Sequence, residues 1–330
     1  MSELGRSVLV VGGTGFIGRA LIPFLVSEHF RVTALAISGR SQLTRLMKKV
    51  NGLNVVEACS MESTELAKAL AGKCFDGVIN LAASGVHPDR RTPEGLHEGN
   101  STLVLNLLAA VAESPPKLFI QTGSWFEYRP AEKPHQLAEG HSLDTPSQYG
   151  SAKSAALAVG SAAAQAMKIP FVCLRLFHVY GPGEMSHRLI PQIVGKLDRG
   201  QQVDLTGGEQ VRDFVFLEDV CEAYKAALLS PNIDQNPVYN VCTGELHTVR
   251  DMCEAVAKAL CVSNKFLNFG AIPYRDDETL WSVGTARLFY DVSGWKAKTN
   301  LQQGVSKTVE SLKKILNNQT NNCNSRDIRG

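Results

Sequence analysis

No uncharged apolar run in this chain approaches the ~20 residues needed to span a bilayer. The opening "MSELGRSVLVVGGTG" lacks a signal-peptide pattern, because its apolar run breaks at glycines. An excess of charge of one sign is missing too. Lys and Arg number 34 against 32 Asp and Glu, so the net charge of +2 leaves no footprint for nucleic acid or a membrane surface. The eight cysteines form no C-x-x-C pair and no Cys/His cluster of metal-ligand spacing. No metal site is expected, and the thiols read as reduced, in a cytoplasmic protein. Internal repeats are absent.

What remains is an ordinary globular composition, 44% hydrophobic and 20% charged over 330 residues, long enough for one large domain or two interleaved ones. Short apolar runs alternate with helical patterns through the first half. "SVLVV" (7–11), "RVTALA" (31–36), "LNVVEA" (53–58), "DGVINLAA" (76–83), "KLFIQTGS" (117–124) and "PFVCLRLFHV" (170–179) read as strands. Helical segments at 18–29, 63–70, 101–114 and 147–168 separate them. This rhythm predicts an α/β fold: a doubly wound parallel Rossmann sheet with a smaller C-terminal α/β substrate-binding part. The expected boundaries are 1–177 for the dinucleotide-binding domain, with segments around 212–242 returning to it. The substrate-binding domain is expected over 178–316, and a flexible polar tail over 317–330.

"GGTGFIG" (12–18) follows the first buried strand and opens a helix. Gly12, Gly15 and Gly18 there permit a tight turn and close backbone approach to a pyrophosphate, which the helix N-terminus then holds. Thr14, Phe16 and Ile17 lie within the same turn and are expected beside the cofactor. An NAD site places Asp or Glu about twenty residues on, at the end of the second strand. Here that position is Ala36, followed by Ile37, Ser38, Gly39 and Arg40. Ser38 can donate a hydrogen bond and Arg40 can pair with a 2′-phosphate, so NADP(H) is favoured over NAD(H).

"SQYGSAKSAA" (147–156) sets Tyr149 and Lys153 four apart, on one helix face. A Tyr titrating near ~10 is a poor proton shuttle at neutral pH, and a nearby ammonium lowers that value. Such a pair alone occurs often by chance; its context decides.

That context resembles the extended short-chain dehydrogenases/reductases, and within them the NAD-dependent epimerase/dehydratase family acting on nucleotide sugars. The resemblance runs from about residue 6 to 315. It rests on "GGTGFIG", "NLAA" (80–83), Asn100, "TGSWFEY" (122–128), "YGSAK" (149–153), "LRLFHVYGPG" (174–183), "RDFVFLEDV" (212–220) and "VYNVCTGE" (238–245). It implies that Tyr149 is the catalytic acid/base, Lys153 its partner, and Ser124 the hydroxyl that holds the reacting oxygen. Tyr149 and Lys153 would also touch the cofactor, together with Leu81, Ala82, Ala83 and Asn100. Ser84, Trp125, His178, Arg212 and Arg275 are the implied substrate contacts, the arginines as clasps for a pyrophosphate. A homodimer formed through the helices at about 101–114 and 149–167 is implied as well.

Some positions depart from the family. His178 stands where Asn is usual. Cys59 or Ser60 replaces the acid after the third strand. Trp125 and Phe126 follow Ser124 where dehydratases tend to carry Asp-Glu, which argues against dehydration. "PYRDDET" (273–279) is similar to the matching stretch of CDP-abequose and CDP-paratose synthases. The expected activity is NADPH-dependent reduction of the 4-keto group of a nucleotide-linked 4-keto-6-deoxy or dideoxy sugar. The alternatives are a nucleotide-sugar 4-epimerase with tightly bound NAD, and a non-catalytic NADP-binding regulator. Intact Ser124, Tyr149 and Lys153 speak against the last.

Overall fold

The computed structural model describes residues 5–37, 50–86, 91–131, 134–233, 237–275 and 278–324, with side chains described as far as 317. Strand β1 (Ser7–Val11) is an unbroken apolar run whose Val8, Leu9, Val10 and Val11 are fully buried. Continuous apolarity, rather than alternation, is what a strand covered on both faces requires. The strands that follow are β2 (Arg31–Ile37), β3 (Asn54–Ala58), β4 (Gly77–Asn80), β5 (Leu118–Ser124) and β6 (Phe171–Leu176). Short strands come next: β7 (His178–Tyr180), β8 (Val203–Leu205), β9 (Val211–Arg212) and β10 (Phe214–Phe216). The chain then forms β11 (Val238–Val241), β12 (His247–Thr248), β13 (Leu267–Phe269) and β14 (Trp281–Ser282).

Seven of these make one parallel sheet in the order β11-β6-β5-β4-β1-β2-β3. The order reverses between β1 and β4, and the crevice beyond the carboxyl ends of strands at such a reversal is where ligands bind in doubly wound sheets. Helices α1 (Phe16–Ser27), α2 (Ser63–Leu70), α3 (Leu103–Val111) and α4 (Gln148–Ala166) accompany the first six strands. They are followed by α5 (Leu189–Asp198), α6 (Leu217–Leu229), α7 (Val249–Ala259), α8 (Arg287–Ser293) and α9 (Leu301–Asn324). Leu66, Leu107, Leu108 and Ala156 of α2, α3 and α4 cover one face of the sheet. Leu21, Leu25, Val220, Tyr224 and Phe289 of α1, α6 and α8 cover the other. A third cluster joins Ile193, Val256 and Val305 of α5, α7 and α9 to Val203 and Leu267 of the β8–β13 pair. The β7–β10 pair and the sheet β12-β9-β14 are separate small sheets, and Tyr180 and Phe216 of the former pack in the third cluster.

Three segments differ from the sequence reading. β4 ends at Asn80, short of 83, because Asn80 turns the chain: its Oδ1 accepts from the Ala82 N–H at 3.1 Å while its Nδ2 donates to Gln121 at 2.9 Å. The helix expected to open near Asn100 begins earlier, with one turn at Pro93–Leu96 capped by Thr92. It passes through a π-helical segment, His97–Thr102, before becoming α3. The segment from 317 onward continues α9 as helix through Asn324. A helix already nucleated by the packing of Val305 and Val309 is extended at little cost by a polar tract.

Candidate active site

The glycine turn lies against the end of β4. Gly12 has φ +80°, and a Cβ on it would stand 2.5 Å from the Ala82 nitrogen. A Cβ on Gly18 would stand 2.5 Å from Gly13 Cα. Gly15 caps α1 with no side-chain bond, so the first N–H groups of α1, where Phe16 and Ile17 sit, retain their donors and the positive end of the helix dipole. Leu81 is tied to the turn through its N–H, which donates to Val11 at 2.9 Å. Leu81 and Ala82 thus border a cradle at the glycine turn, which a Cβ on Gly12 would fill. Nearby, Asn100 spends its Nδ2 on the Ser84 and Leu96 carbonyls at 3.2 and 2.8 Å, and its buried Oδ1 has no partner. Cradle and orphaned acceptor fit a dinucleotide. Ser38 and Arg40 lie outside the described residues. Sequence reasoning did not find the carboxylate of Glu57: β3 places Glu57 in register with Ala36 at the end of β2.

Ser124 ends β5 and Tyr149 opens α4, whose N-cap Ser147 accepts from the Gly150 N–H at 3.2 Å. Two contacts bring these elements together. Lys153, 3% exposed, donates its Nζ to the Thr122 carbonyl at 2.9 Å. Gly150 lies against the Phe126 carbonyl. Tyr149 is buried, with its ring edge-on to Phe126 at 5.9 Å. Burial raises the Tyr149 phenol above its ordinary value, and the Glu127 charge adds to this; Arg91 and Arg188 pull the other way. Burial likewise lowers the Lys153 ammonium. The Ser124 hydroxyl accepts a long bond from the Phe126 N–H, 3.3 Å, which leaves its own proton available for a substrate oxygen.

The turn after Ser124 is held by a pair missing from the sequence reading. Glu127 is fully buried; one oxygen accepts from the Ser124 N–H at 2.6 Å and the other accepts Arg175 Nε and Nη2 at 2.9 and 2.7 Å. Arg175 also lies over the Tyr128 ring at 4.4 Å. The signal was in the sequence as Ser-x-x-Glu, a capping box spelled by "SWFE". So the acid nearest Ser124 in the chain is committed to structure.

Among the residues expected at the substrate, His178 on β7 hydrogen-bonds Ser282 Oγ at 2.7 Å and lies 4.6 Å from the Trp125 ring. Burial, with Arg212 and Arg188 nearby, keeps the imidazole neutral by holding it well below its ordinary value. Arg212 pairs with Glu278 at 2.7 Å, its guanidinium 5.9 Å from the Trp125 ring. Trp125, His178 and Arg212 therefore gather in one place. Arg275 is exposed and meets this group through its backbone, its carbonyl accepting from the Glu278 N–H at 3.1 Å. Ser84 is placed by its carbonyl, which Asn100 holds. Among the described residues, no three His, Cys, Asp or Glu side chains gather as metal ligands. No described helix is long and apolar enough to cross a membrane.

Residues 8–242 match the NAD dependent epimerase/dehydratase family. The chain is 28% identical over 323 residues to a CDP-abequose synthase of Salmonella typhimurium, covering 94% of this chain and 100% of that one. It is 28% identical over 305 residues to a dTDP-6-deoxy-L-talose 4-dehydrogenase (NAD(P)(+)) of Kitasatospora kifunensis, covering 90% and 93%. Among solved structures, the Thermus thermophilus UDP-glucose 4-epimerase in complex with NAD superposes with a TM-score of 0.81 at 25% identity, over 93% of this chain and 99% of that one. With its doubly wound sheet, glycine turn and Ser-Tyr-Lys arrangement, the chain belongs to the NAD dependent epimerase/dehydratase family.

Proposed function

We propose that this protein reduces the 4-keto group of a nucleotide-linked 4-keto-6-deoxy or dideoxy sugar with NADPH. The observation that carries the reading is the commitment of Glu127 to Arg175 and the Ser124 N–H. Elimination of water from a sugar needs a carboxylate free to move a proton, and the acid beside the reactive hydroxyl is not free. Ser124, Tyr149 and Lys153 supply what carbonyl reduction needs. The similarity to a CDP-abequose synthase supports the same reading.

The glycine cradle would hold NADPH, whose chemistry when bound would be hydride donation to the carbonyl carbon. Tyr149 gives its phenolic proton to the carbonyl oxygen, and the Ser124 hydroxyl holds that oxygen by donating to it. Lys153, fixed on the Thr122 carbonyl, places a positive charge one helical turn from Tyr149 and is the group for the cofactor ribose. Arg212 and Arg275 are the clasps for the substrate pyrophosphate, and neutral His178 hydrogen-bonds substrate rather than repelling Arg212. The protein works as a cytoplasmic homodimer whose subunits meet through α3 and α4, where Leu105 and Val159 remain partly exposed.

A second reading, a 4-epimerase that retains NAD, is favoured by one feature: Glu57 stands beside Ala36, in a position from which a carboxylate disfavours a 2′-phosphate. Incubating the protein with NADPH and a panel of nucleotide 4-keto-6-deoxy sugars separates the two. Stoichiometric loss of reduced-cofactor absorbance is expected for the reductase; sugar interconversion without net cofactor change would establish the epimerase. Tyr149→Phe is expected to abolish turnover with cofactor affinity retained, and unchanged turnover would remove Tyr149 from the mechanism.

A further inference from the structure

We propose that Arg91 is a positioning residue for the reaction: its guanidinium, laid over the ring of Tyr149 and fastened to the Gly85 carbonyl, holds positive charge against the catalytic phenol. The proposal rests on the assignment of Tyr149 as the proton donor. Arg91 lies with its guanidinium carbon 5.5 Å from the Tyr149 ring centroid. Its Nε donates to Gly85 at 2.8 Å, which fixes the side chain. Asn100 Nδ2 holds the Ser84 carbonyl, next to Gly85, and Thr92 caps the helical turn that begins just after Arg91.

The charges around Tyr149 give this contact its consequence. Glu127, from the turn after β5, raises the cost of tyrosinate; Arg91 and Arg188, the latter at the start of α5, lower it. Lys153, on the same helix as Tyr149, is engaged with the Thr122 carbonyl. Arg188 shares its charge with Glu184, 3.7 Å away. Among the described residues, Arg91 bonds the Gly85 carbonyl and lays its charge over the Tyr149 ring. A cation over a partly desolvated ring stabilises the phenolate that remains after proton transfer.

Nitration by tetranitromethane, which attacks tyrosinate, reads this directly at one residue when followed by peptide mass spectrometry. Tyr290, 48% exposed, serves as the internal reference. Arg91→Gln and Arg91→Met are expected to slow nitration of Tyr149 about tenfold at fixed pH, the effect of roughly one pH unit in phenol ionisation, with Tyr290 unchanged. Arg91→Lys, which keeps the charge, is expected to restore most of the rate. Nitration of Tyr149 as fast as or faster than wild type in the Gln and Met variants would overturn the proposal. So would a Lys variant as slow as they are, or a wild-type Tyr149 that resists nitration while Tyr290 reacts. The same variants carry a kinetic signature. In the oxidative direction the rise of kcat with pH should move up by about one unit, and in the reductive direction the alkaline fall should move up equally. If no nucleotide sugar is turned over, the substrate assignment fails, while the nitration rates still decide the role of Arg91.

Discussion

Gly150 meets the carbonyl oxygen of Phe126 so closely that a Cβ at position 150 would overlap it. The residue after Tyr149 is therefore what lets the first turn of α4 rest on the turn that follows Ser124. Sequence motif and tertiary contact coincide here: a larger residue would push Tyr149 away from Ser124.

Gly150→Ala tests this. The added methyl improves helix propensity, yet it is expected to destabilise the protein by about 1–3 kcal/mol through overpacking. Turnover should fall by an order of magnitude or more, with cofactor affinity nearly unchanged. Thermal denaturation and steady-state kinetics are the measurements; a more stable, fully active Ala variant would show that the contact is not limiting.

Glu127→Gln leaves the Arg175 guanidinium buried without its countercharge. Breaking such a pair costs about 3–5 kcal/mol, and both side chains here are essentially inaccessible. Urea unfolding should show that loss, and Glu127→Gln combined with Arg175→Met should recover a large part of it. Equal stability of single and double variants would mean that the two side chains are not energetically coupled.

Much of this was readable in the chain. β1, β2 and β5 announce themselves by apolar runs because strands buried on both faces admit little else. Gly12 and Gly18 are legible because steric exclusion leaves glycine alone at such approaches. The positions of Ser124, Tyr149 and Lys153 followed from motif order, but the bond from Lys153 to Thr122 did not, since it joins segments whose docking depends on the whole sheet. Glu57 was overlooked for the same reason. Its proximity to Ala36 is a matter of β2–β3 register, and register is a pairing between strands rather than a property of either. The π-helical turn before α3 has no local sequence signature at all; it places Asn100 where its amide can hold two carbonyls.

Glu184 predicts a pH dependence of stability. Burial raises its carboxyl to about 7, well above the ordinary carboxylate range, despite Arg188 nearby. The folded state thus binds the proton more tightly than the unfolded state. Stability should be highest below pH 4.5 as far as this group is concerned, decline as pH rises from there towards 7, and level off above, a total on the order of 3 kcal/mol. Glu184→Gln should lack that decline. Denaturant unfolding of both proteins at several pH values measures it; parallel curves across the window would refute it.

Arg40→Ala addresses cofactor choice. Removing the cation expected at a 2′-phosphate should weaken NADPH about tenfold relative to NADH, equivalent to about 1.4 kcal/mol. Glu57→Gln should shift preference the other way, towards NADPH. Titration of both cofactors by fluorescence decides; a protein that prefers NADH before any substitution would reassign the site to NAD.

Strand β11 gives the chain a temporal order. It is the edge strand of the main sheet beside β6, yet it is made of residues 238–241, synthesised long after β6 at 171–176. Until then β6 carries a row of unpaired backbone groups, a template for pairing with another chain. A fragment ending at 177 would keep that open edge permanently and lose α6 from one face of the sheet. The main sheet is thus completed from within the part of the chain that follows β6, and cutting between the two would yield an adhesive fragment rather than a free-standing module.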